Sequence, residues 1–155
     1  NSWWDHETKG WPGGGVTHSD VMLDSRSLPT TEMLSRLFDA FAAAPRQFLI
    51  KCSGGQDRTS LAAALYLIHR GGWSALASAE RQFARWPYLH FPKTQQRWLA
   101  PFVEFAQETA QGRSLKDWIA DGYTPERLKA WLDTHGLAGS YAAIFTTPTR
   151  SPYQW

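Results

Sequence analysis

Residues 47–72 read QFLIKCSGGQDRTSLAAALYLIHRGG and contain three segments in succession. The apolar run 47–51 has the length and composition of a buried β-strand. A polar loop with two glycines follows it, and an alanine-rich apolar helix is predicted from about Asp57 to Arg70, where a pair of glycines ends it. The order of strand, glycine loop and buried helix is typical of an α/β protein.

The remaining sequence predicts one more strand and several helices. Residues 16–23 are predicted to form a short strand, because apolar residues follow the glycine turn 13–15. The helical spacing of apolar residues predicts an amphipathic helix that begins near Thr30 and ends before Pro45. Further helices are predicted at 74–85, 94–110, 114–120 and Pro125–Thr134, the last with Thr124 as its N-cap.

The predicted fold is α/β, with a parallel-type central sheet flanked by helices and an all-helical C-terminal half. A chain of 155 residues is long enough for one domain with its own core and too short for two of ordinary size, so residues 1–155 are expected to form a single domain. Two neighbouring strands make only a marginal sheet. The expectation is therefore that further strands lie upstream of Asn1 and that the domain is incomplete at its N-terminus.

Composition and charge exclude several classes of protein. Apolar residues make up 43% and charged residues 19% of the chain, which is the balance of a soluble globular protein. The net charge is only +2, so no broad basic face for nucleic acid is expected, and no apolar run reaches the roughly 18 residues that a membrane span needs. The single cysteine, Cys52, excludes an intrachain disulfide, and a free functional thiol favours a reducing compartment, the cytoplasm.

The loop at 52–58 has the residue types of an anion-binding site. Glycines let such a loop curl until successive backbone N–H groups point inward, and the following helix adds its unpaired N–H groups and the positive end of its dipole. Arg58 supplies a planar, permanently charged fork for the same anion. This positive field also favours the thiolate of Cys52, which makes the sulfur a nucleophile at neutral pH, and the hydroxyl of Thr59 is expected to donate to it.

The sequence Cys52-Ser53-Gly54-Gly55-Gln56-Asp57-Arg58-Thr59 resembles the signature loop of the protein tyrosine and dual-specificity phosphatase superfamily, in which cysteine, five residues and arginine precede serine or threonine. The Asp57-Arg58-Thr59 ending is most similar to the bacterial branch of that superfamily, and the resemblance extends over residues 16–105. It implies a tyrosine-phosphatase-like fold, a cysteinyl-phosphate intermediate, no cofactor, and a phosphorylated protein or small phosphomonoester as partner. It also implies that the catalytic residues include Cys52, Arg58 and Thr59, and that phosphate is bound by Ser53, Gly54, Gly55, Gln56, Asp57 and Arg58.

The chain departs from the family pattern at two positions. Lys51 stands where relatives usually have a histidine that orders the loop and lowers the thiol pKa, and the charge of Lys51 is also expected to favour a thiolate. Ser60 stands where relatives commonly have glycine, and neither change removes a catalytic group. The five histidines, at positions 6, 18, 69, 90 and 135, lack the spacing of metal ligands, so no metal is expected.

The family mechanism needs a general acid, for which the sequence offers three aspartates. Asp24 is the preferred candidate, because it follows the predicted strand, lies 28 residues before Cys52 and begins a loop that ends at Pro29. The other interpretation of Asp24 is a solvated carboxylate that caps the next helix. Asp20 has similar spacing but lies inside the predicted strand. Asp57 faces the substrate cleft in relatives, yet a helix start favours aspartate in any case.

Phosphotyrosine is the substrate that the resemblance implies first, with phosphoserine and phosphothreonine after it. A phosphoinositide or inositol-phosphate phosphatase is the alternative, although such relatives often carry lysine in the loop and this chain has neutral Gly55-Gln56. A phosphate-binding pseudophosphatase also stays open, because the usual histidine is missing and the acid is unproven. His90, in an aromatic segment similar to one in the family, is interpreted as a packing residue, and Arg81, Arg85 and Lys93 as solvated charges or as a rim of the cleft.

Overall fold

The structure is a computed structural model and describes residues 19–45 and 47–145. Within these ranges the chain is mostly helical, with one pair of two-residue strands. In chain order the elements are β1 Ser27–Leu28, α1 Thr31–Ala43, α2 Asp57–Gly71, α3 Leu76–Glu80, α4 Pro101–Ala110, α5 Leu115–Asp121, α6 Pro125–Thr134 and β2 Ala143–Ile144. Short 3₁₀ turns occupy Gly72–Ala75, Arg81–Phe83 and Thr94–Gln96. None of the helices in the described part of the chain has the length and apolar character needed to cross a lipid bilayer.

The two helices predicted on either side of the central loop are confirmed. α1 begins after Thr30, whose side-chain oxygen accepts a hydrogen bond from the N–H of Met33 at 3.2 Å, and it buries one apolar face. α2 begins at Asp57, directly after the loop, and buries a stripe that includes Leu61 and Leu65. Because α2 packs into the core through this stripe, its first turn is held at the end of the loop.

The last two helices agree with the prediction in position and N-cap, whereas the two helices predicted before them are shorter than predicted. Ser114 caps α5 and Thr124 caps α6, each with a side-chain oxygen that accepts a backbone N–H. The prediction of one helix over 94–110 is wrong, because α4 begins only at Pro101, whose ring lacks an N–H and therefore fits the first turn of a helix. The prediction over 74–85 is wrong in the same way, since α3 is short and 3₁₀ turns lie on both sides of it.

The strands predicted at 16–23 and 47–51 are wrong where the structure describes them. No strand forms at 19–23, and residues 13–18, which include the predicted glycine turn, lie outside the described residues. Residues 47–51 belong to no strand, and the side chain of Leu49 is 84% exposed. Apolar composition predicted these strands, but a strand also needs a neighbour that pairs with its backbone N–H and C=O groups, and composition does not supply that neighbour.

The observed strand pair joins two segments whose composition did not predict a strand. Ser27 pairs with Ala143 and Leu28 pairs with Ile144, in parallel register. The N–H of Phe145 continues the pairing by donating to the carbonyl oxygen of Leu28 at 2.8 Å. The expectation of an all-helical C-terminal half is therefore wrong at β2. In its coarse form the predicted class holds, because the chain is helix-rich and contains a parallel strand pair.

The helical core fixes the segment that precedes α1. The indole N–H of the fully buried Trp98 donates to the carbonyl oxygen of Ser25 at 3.0 Å. The hydroxyl of buried Tyr123 donates to the carbonyl oxygen of Pro29 at 2.6 Å. Both bonds satisfy polar groups at the edge of an aromatic core, and together they hold residues 24–29 against the C-terminal helices.

Candidate functional site

The central loop turns sharply between the buried Cys52 and the first residue of α2. Gly55 makes the turn at φ 67°, in the left-handed region that glycine enters without strain. Gln56 is the N-cap of α2 and Asp57 is its first residue. The free N–H groups of a helix N-terminus lie in its first turn, so the start of α2 presents donors and a positive dipole end to the loop.

The thiol of Cys52 lies in an environment that favours its ionised form. The hydroxyl of Thr59 donates to Sγ at 3.2 Å, and only 7% of Cys52 is exposed. Burial raises the pKa of the thiol, but the side-chain and backbone hydrogen bonds from Thr59, the charge of Arg58 and the backbone hydrogen bond from Gly55 lower it. The lowering effects are larger together, so the thiol pKa lies below its ordinary value and the thiolate is more abundant at neutral pH.

Arg58 is held over the loop by a short contact. Its Nη2 donates to Oγ of Ser53 at 2.6 Å, which fixes the guanidinium on the side of the loop next to Cys52. A guanidinium has five N–H donors, and this contact uses one of them. Among the described residues no other acceptor is bonded to this guanidinium, and the planar arrangement of its donors suits two oxygens of a phosphate.

These residues line a polar cleft of about 470 Å³. Its lining residues are Asp24, Ser25, Arg26, Cys52, Ser53, Gly54, Gln56, Asp57, Arg58 and Gln96. Seven of the residues predicted from the sequence therefore meet in one cleft, while Thr59 and Gly55 contact the thiol from behind the lining. Asp20 is not part of the lining. None of the described residues that line this cleft has an aromatic or aliphatic side chain, so this part of its wall suits a polar, anionic group.

Two carboxylates lie in the cleft wall, and each is held in a different way. Asp24 accepts hydrogen bonds from its own loop, at 2.6 Å from Oγ of Ser27 and at 3.3 Å from the N–H of Arg26. Asp57 accepts a hydrogen bond at 2.9 Å from Nε2 of Gln96, and its other carboxylate oxygen lies 3.4 Å from Nε2 of His90. Asp24 and Asp57 thus line the same cleft as Cys52, whereas Asp20 is not part of its described lining.

Gln96 is a site residue that the sequence did not predict. Its buried side-chain amide donates to both Asp57 and Oγ of Ser25, the latter at 3.1 Å, and so connects the start of α2 to the segment that carries Asp24. Its Oε1 accepts from the N–H of Lys93 at 2.8 Å. Glutamine three residues after an N-cap is the capping-box position, but the N-cap here is lysine rather than serine or threonine, so the sequence signature was incomplete.

His90 is buried, as its interpretation as a packing residue predicted. Its ring meets the ring of Phe83 edge to face, with centroids 5.3 Å apart. Its Nε2 forms no hydrogen bond, although it lies near the carboxylate of Asp57. Among residues 19–45 and 47–145, no three histidine, cysteine, aspartate or glutamate side chains are grouped closely enough to hold a metal ion.

Comparison with protein-family models, with curated proteins and with solved structures finds no match for this chain. The assignment of a function therefore depends on the geometry of the cleft, on the chemistry of its residues and on the resemblance of the loop to the phosphatase signature.

Proposed function

We propose that this protein is a cysteine-dependent phosphatase that hydrolyses phosphomonoesters through a cysteinyl-phosphate intermediate. The observation that carries the proposal is the thiol of Cys52 in the loop that leads into α2, with the Thr59 hydroxyl 3.2 Å from its sulfur and the charge of Arg58 acting on it. A thiolate with a lowered pKa is a nucleophile, and a guanidinium with helix N–H groups is a phosphate site. No cofactor takes part in this chemistry.

The first step transfers the phosphoryl group to sulfur. The Cys52 thiolate attacks phosphorus, the S–P bond forms, and the bond to the leaving oxygen breaks with its electron pair on that oxygen. Asp24 donates the proton that the leaving oxygen needs, while Arg58 and the backbone N–H groups of residues 53–58 hold the equatorial oxygens as their charge redistributes.

The second step releases inorganic phosphate. A water molecule attacks phosphorus, Asp24 takes up the proton of that water, and the S–P bond breaks with its electron pair on sulfur. The Thr59 hydroxyl stabilises the departing thiolate, because it already donates to the sulfur at 3.2 Å. Asp24 is then protonated and the thiolate is free, which is the state that begins the next turnover.

The substrate class that we propose first is phosphotyrosine, in a phosphorylated protein or as a small phosphomonoester, with activity on phosphoserine and phosphothreonine following it. One observation favours the alternative of an inositol-phosphate or phosphoinositide phosphatase: among the described residues, the cleft lining offers no aromatic or aliphatic side chain against which a tyrosine ring would stack. Comparing kcat/KM for a tyrosine-phosphorylated peptide and for an inositol phosphate distinguishes the two classes. A reducing compartment such as the cytoplasm suits the free thiol.

Steady-state hydrolysis of p-nitrophenyl phosphate across mildly acidic to neutral pH tests the proposed activity. The proposal predicts turnover without added metal or cofactor. If the folded protein binds inorganic phosphate in the cleft but does not turn over this substrate, it is a phosphate-binding pseudophosphatase and the enzyme proposal is wrong.

Replacement of Thr59 by valine is expected to raise the pKa of the Cys52 thiol, because the hydroxyl that lowers this pKa is lost. The rate of alkylation by iodoacetamide is proportional to the fraction of thiol that is ionised. The midpoint of the curve of alkylation rate against pH should therefore move to higher pH. At neutral pH the rate should fall about three- to tenfold. The matched variant Thr59→Ser keeps a hydroxyl and should react like the parent. Equal alkylation profiles for Thr59→Val and the parent would show that this hydrogen bond does not activate the thiol.

The leaving-group dependence of turnover identifies the general acid. A phenolate leaving group needs a proton more than p-nitrophenolate does, so loss of the acid should lower kcat/KM for phenyl phosphate about 10²-fold and affect kcat/KM for p-nitrophenyl phosphate much less. We expect this pattern for Asp24→Asn. The matched variant Asp57→Asn, in the same cleft wall, should lower kcat/KM for the two substrates by a similar factor. If Asp57→Asn shows the larger loss for phenyl phosphate and Asp24→Asn does not, Asp57 is the acid.

A further inference from the structure

An aromatic loop, defined here as residues 84–91, projects large apolar side chains into solvent. Of the described residues, five large hydrophobic side chains are exposed, and four of them lie in this loop: Trp86, Tyr88, Leu89 and Phe91. Trp86 is 74% exposed and Phe91 is 50% exposed. Scattered exposed apolar residues are common, but four within six positions of one loop form a patch that normally has a binding partner.

The segment of the chain that contains the aromatic loop is basic. Residues 81–103 contain no aspartate or glutamate and carry four cationic side chains, all exposed: Arg81, Arg85, Lys93 and Arg97. Among the described residues none of these four forms an ion pair. The net charge of the whole chain is only +2, so this segment concentrates positive charge that is balanced elsewhere. The Arg85 guanidinium lies over the ring of Phe91, 5.1 Å from its centroid.

The aromatic loop is closed at its base and attached to the cleft. The N–H of Leu89 donates to the carbonyl oxygen of Arg85 at 3.0 Å, and the N–H of His90 donates to that of Ala84 at 3.4 Å. Within the loop only His90 is buried, and its Nε2 lies 3.4 Å from the carboxylate of Asp57 in the cleft wall. The exposed side chains are therefore displayed by a short, closed turn, which does not have to fold before it binds.

From these observations we propose that the aromatic loop is a membrane-binding surface, which inserts into the interface of a lipid bilayer that carries anionic headgroups. Tryptophan and tyrosine are the residues that anchor proteins at the level of the headgroups, and leucine and phenylalanine reach the acyl boundary. The four surrounding cations are attracted to the negative surface, and their long aliphatic stems adapt to the interface. The cleft would then face substrates within reach of the membrane surface.

A bilayer fits the shape of this patch better than a protein or a peptide does. The four apolar side chains are exposed, and none of them lines the cleft next to the loop. A folded partner or a bound peptide needs a complementary concave surface, whereas the bilayer interface deforms around a protruding loop. The four cations of residues 81–103 add an attraction to an anionic surface.

Sedimentation with sucrose-loaded vesicles tests this proposal independently of the phosphatase activity, since it is performed on Cys52→Ser protein, which does not turn over substrate. The protein should bind vesicles of phosphatidylcholine with phosphatidylserine, and bind more weakly to phosphatidylcholine alone. The double variant Trp86→Ser and Phe91→Ser should bind vesicles at least about tenfold more weakly, because it lacks the two rings that insert into the bilayer interface. The double variant Arg85→Gln and Lys93→Gln should lose the preference for phosphatidylserine.

Two controls are matched to these variants. Leu49→Ser removes the exposed apolar side chain that lies outside the loop, and Lys116→Gln removes an exposed cation on α5. Both control variants should bind vesicles like the parent. When the loop substitutions are made in protein that keeps Cys52, hydrolysis of p-nitrophenyl phosphate should proceed at the parent rate. Absence of vesicle binding, or binding that the loop variants do not weaken, would overturn the proposal. Loop-dependent binding of an acidic phosphopeptide without vesicle binding would replace the bilayer by a protein partner.

Discussion

Cys52→Ser is expected to abolish the hydrolysis of p-nitrophenyl phosphate, with kcat/KM at least about 10⁴-fold lower than in the parent. The serine hydroxyl is not ionised at neutral pH, whereas the parent thiol has a lowered pKa and supplies a nucleophile. The change is small in volume, and the side chain at this position is buried. Steady-state assays of both proteins at equal concentration measure the effect.

Phosphate binding provides the control for this substitution. The backbone N–H groups of the loop and the Arg58 guanidinium are unchanged in Cys52→Ser, so its affinity for inorganic phosphate should stay within a few-fold of the parent. A variant that binds phosphate and does not turn over has lost only the nucleophile. Substantial turnover by Cys52→Ser would show that the cysteine is not the nucleophile.

Arg58→Lys is expected to lower kcat/KM about 10²- to 10³-fold, although the charge at this position is kept. Lysine has no planar fork for two phosphate oxygens, and it cannot reproduce the contact of the guanidinium with Oγ of Ser53 at 2.6 Å. Because the charge of Arg58 is one of the causes that lower the pKa of Cys52, a lysine should largely preserve this effect. Steady-state kinetics and the rate of iodoacetamide alkylation measure the two properties separately.

The expected result for Arg58→Lys is thus a large loss of turnover with nearly unchanged alkylation of the thiol. Arg36→Lys is the matched control, since Arg36 lies on the exposed face of α1 and pairs with Glu32 at 2.6 Å, and it should change neither property. Parent-like kcat/KM in Arg58→Lys would show that the fork does not bind the transferring phosphoryl group.

The helices α1, α2, α5 and α6 were predictable from this sequence because their start and stop signals are local. Thr30, Ser114 and Thr124 cap the helices that follow them, and the glycines after Arg70 end α2 where expected. Strands were not predictable, because β1 and β2 depend on a partner more than a hundred residues away in the chain. The exposed Leu49 shows that a short apolar run does not by itself make a buried strand.

In the candidate site, too, residues close together in the sequence were predictable and residues brought in by distant contacts were not. Cys52, Arg58 and Thr59 were predictable, since the loop and the first turn of α2 bring them together through residues adjacent in sequence. Gln96 was not, because its contacts with Ser25 and Asp57 span 71 and 39 residues. The aromatic loop was visible in the sequence as an aromatic segment around His90 with separate charges nearby, but the exposure of its large side chains was not predictable.

The intermediate on Cys52 is the most direct test of the proposed mechanism. The protein is quenched in acid during turnover of excess p-nitrophenyl phosphate, digested with trypsin and analysed by mass spectrometry. Trypsin cleaves after Lys51 and Arg58, so Cys52 lies in the peptide 52–58. The mechanism predicts a phosphate group on the cysteine of this peptide, absent from protein quenched before substrate is added. Turnover with phosphate on another residue, or with no phosphorylated peptide, would contradict the cysteinyl-phosphate mechanism.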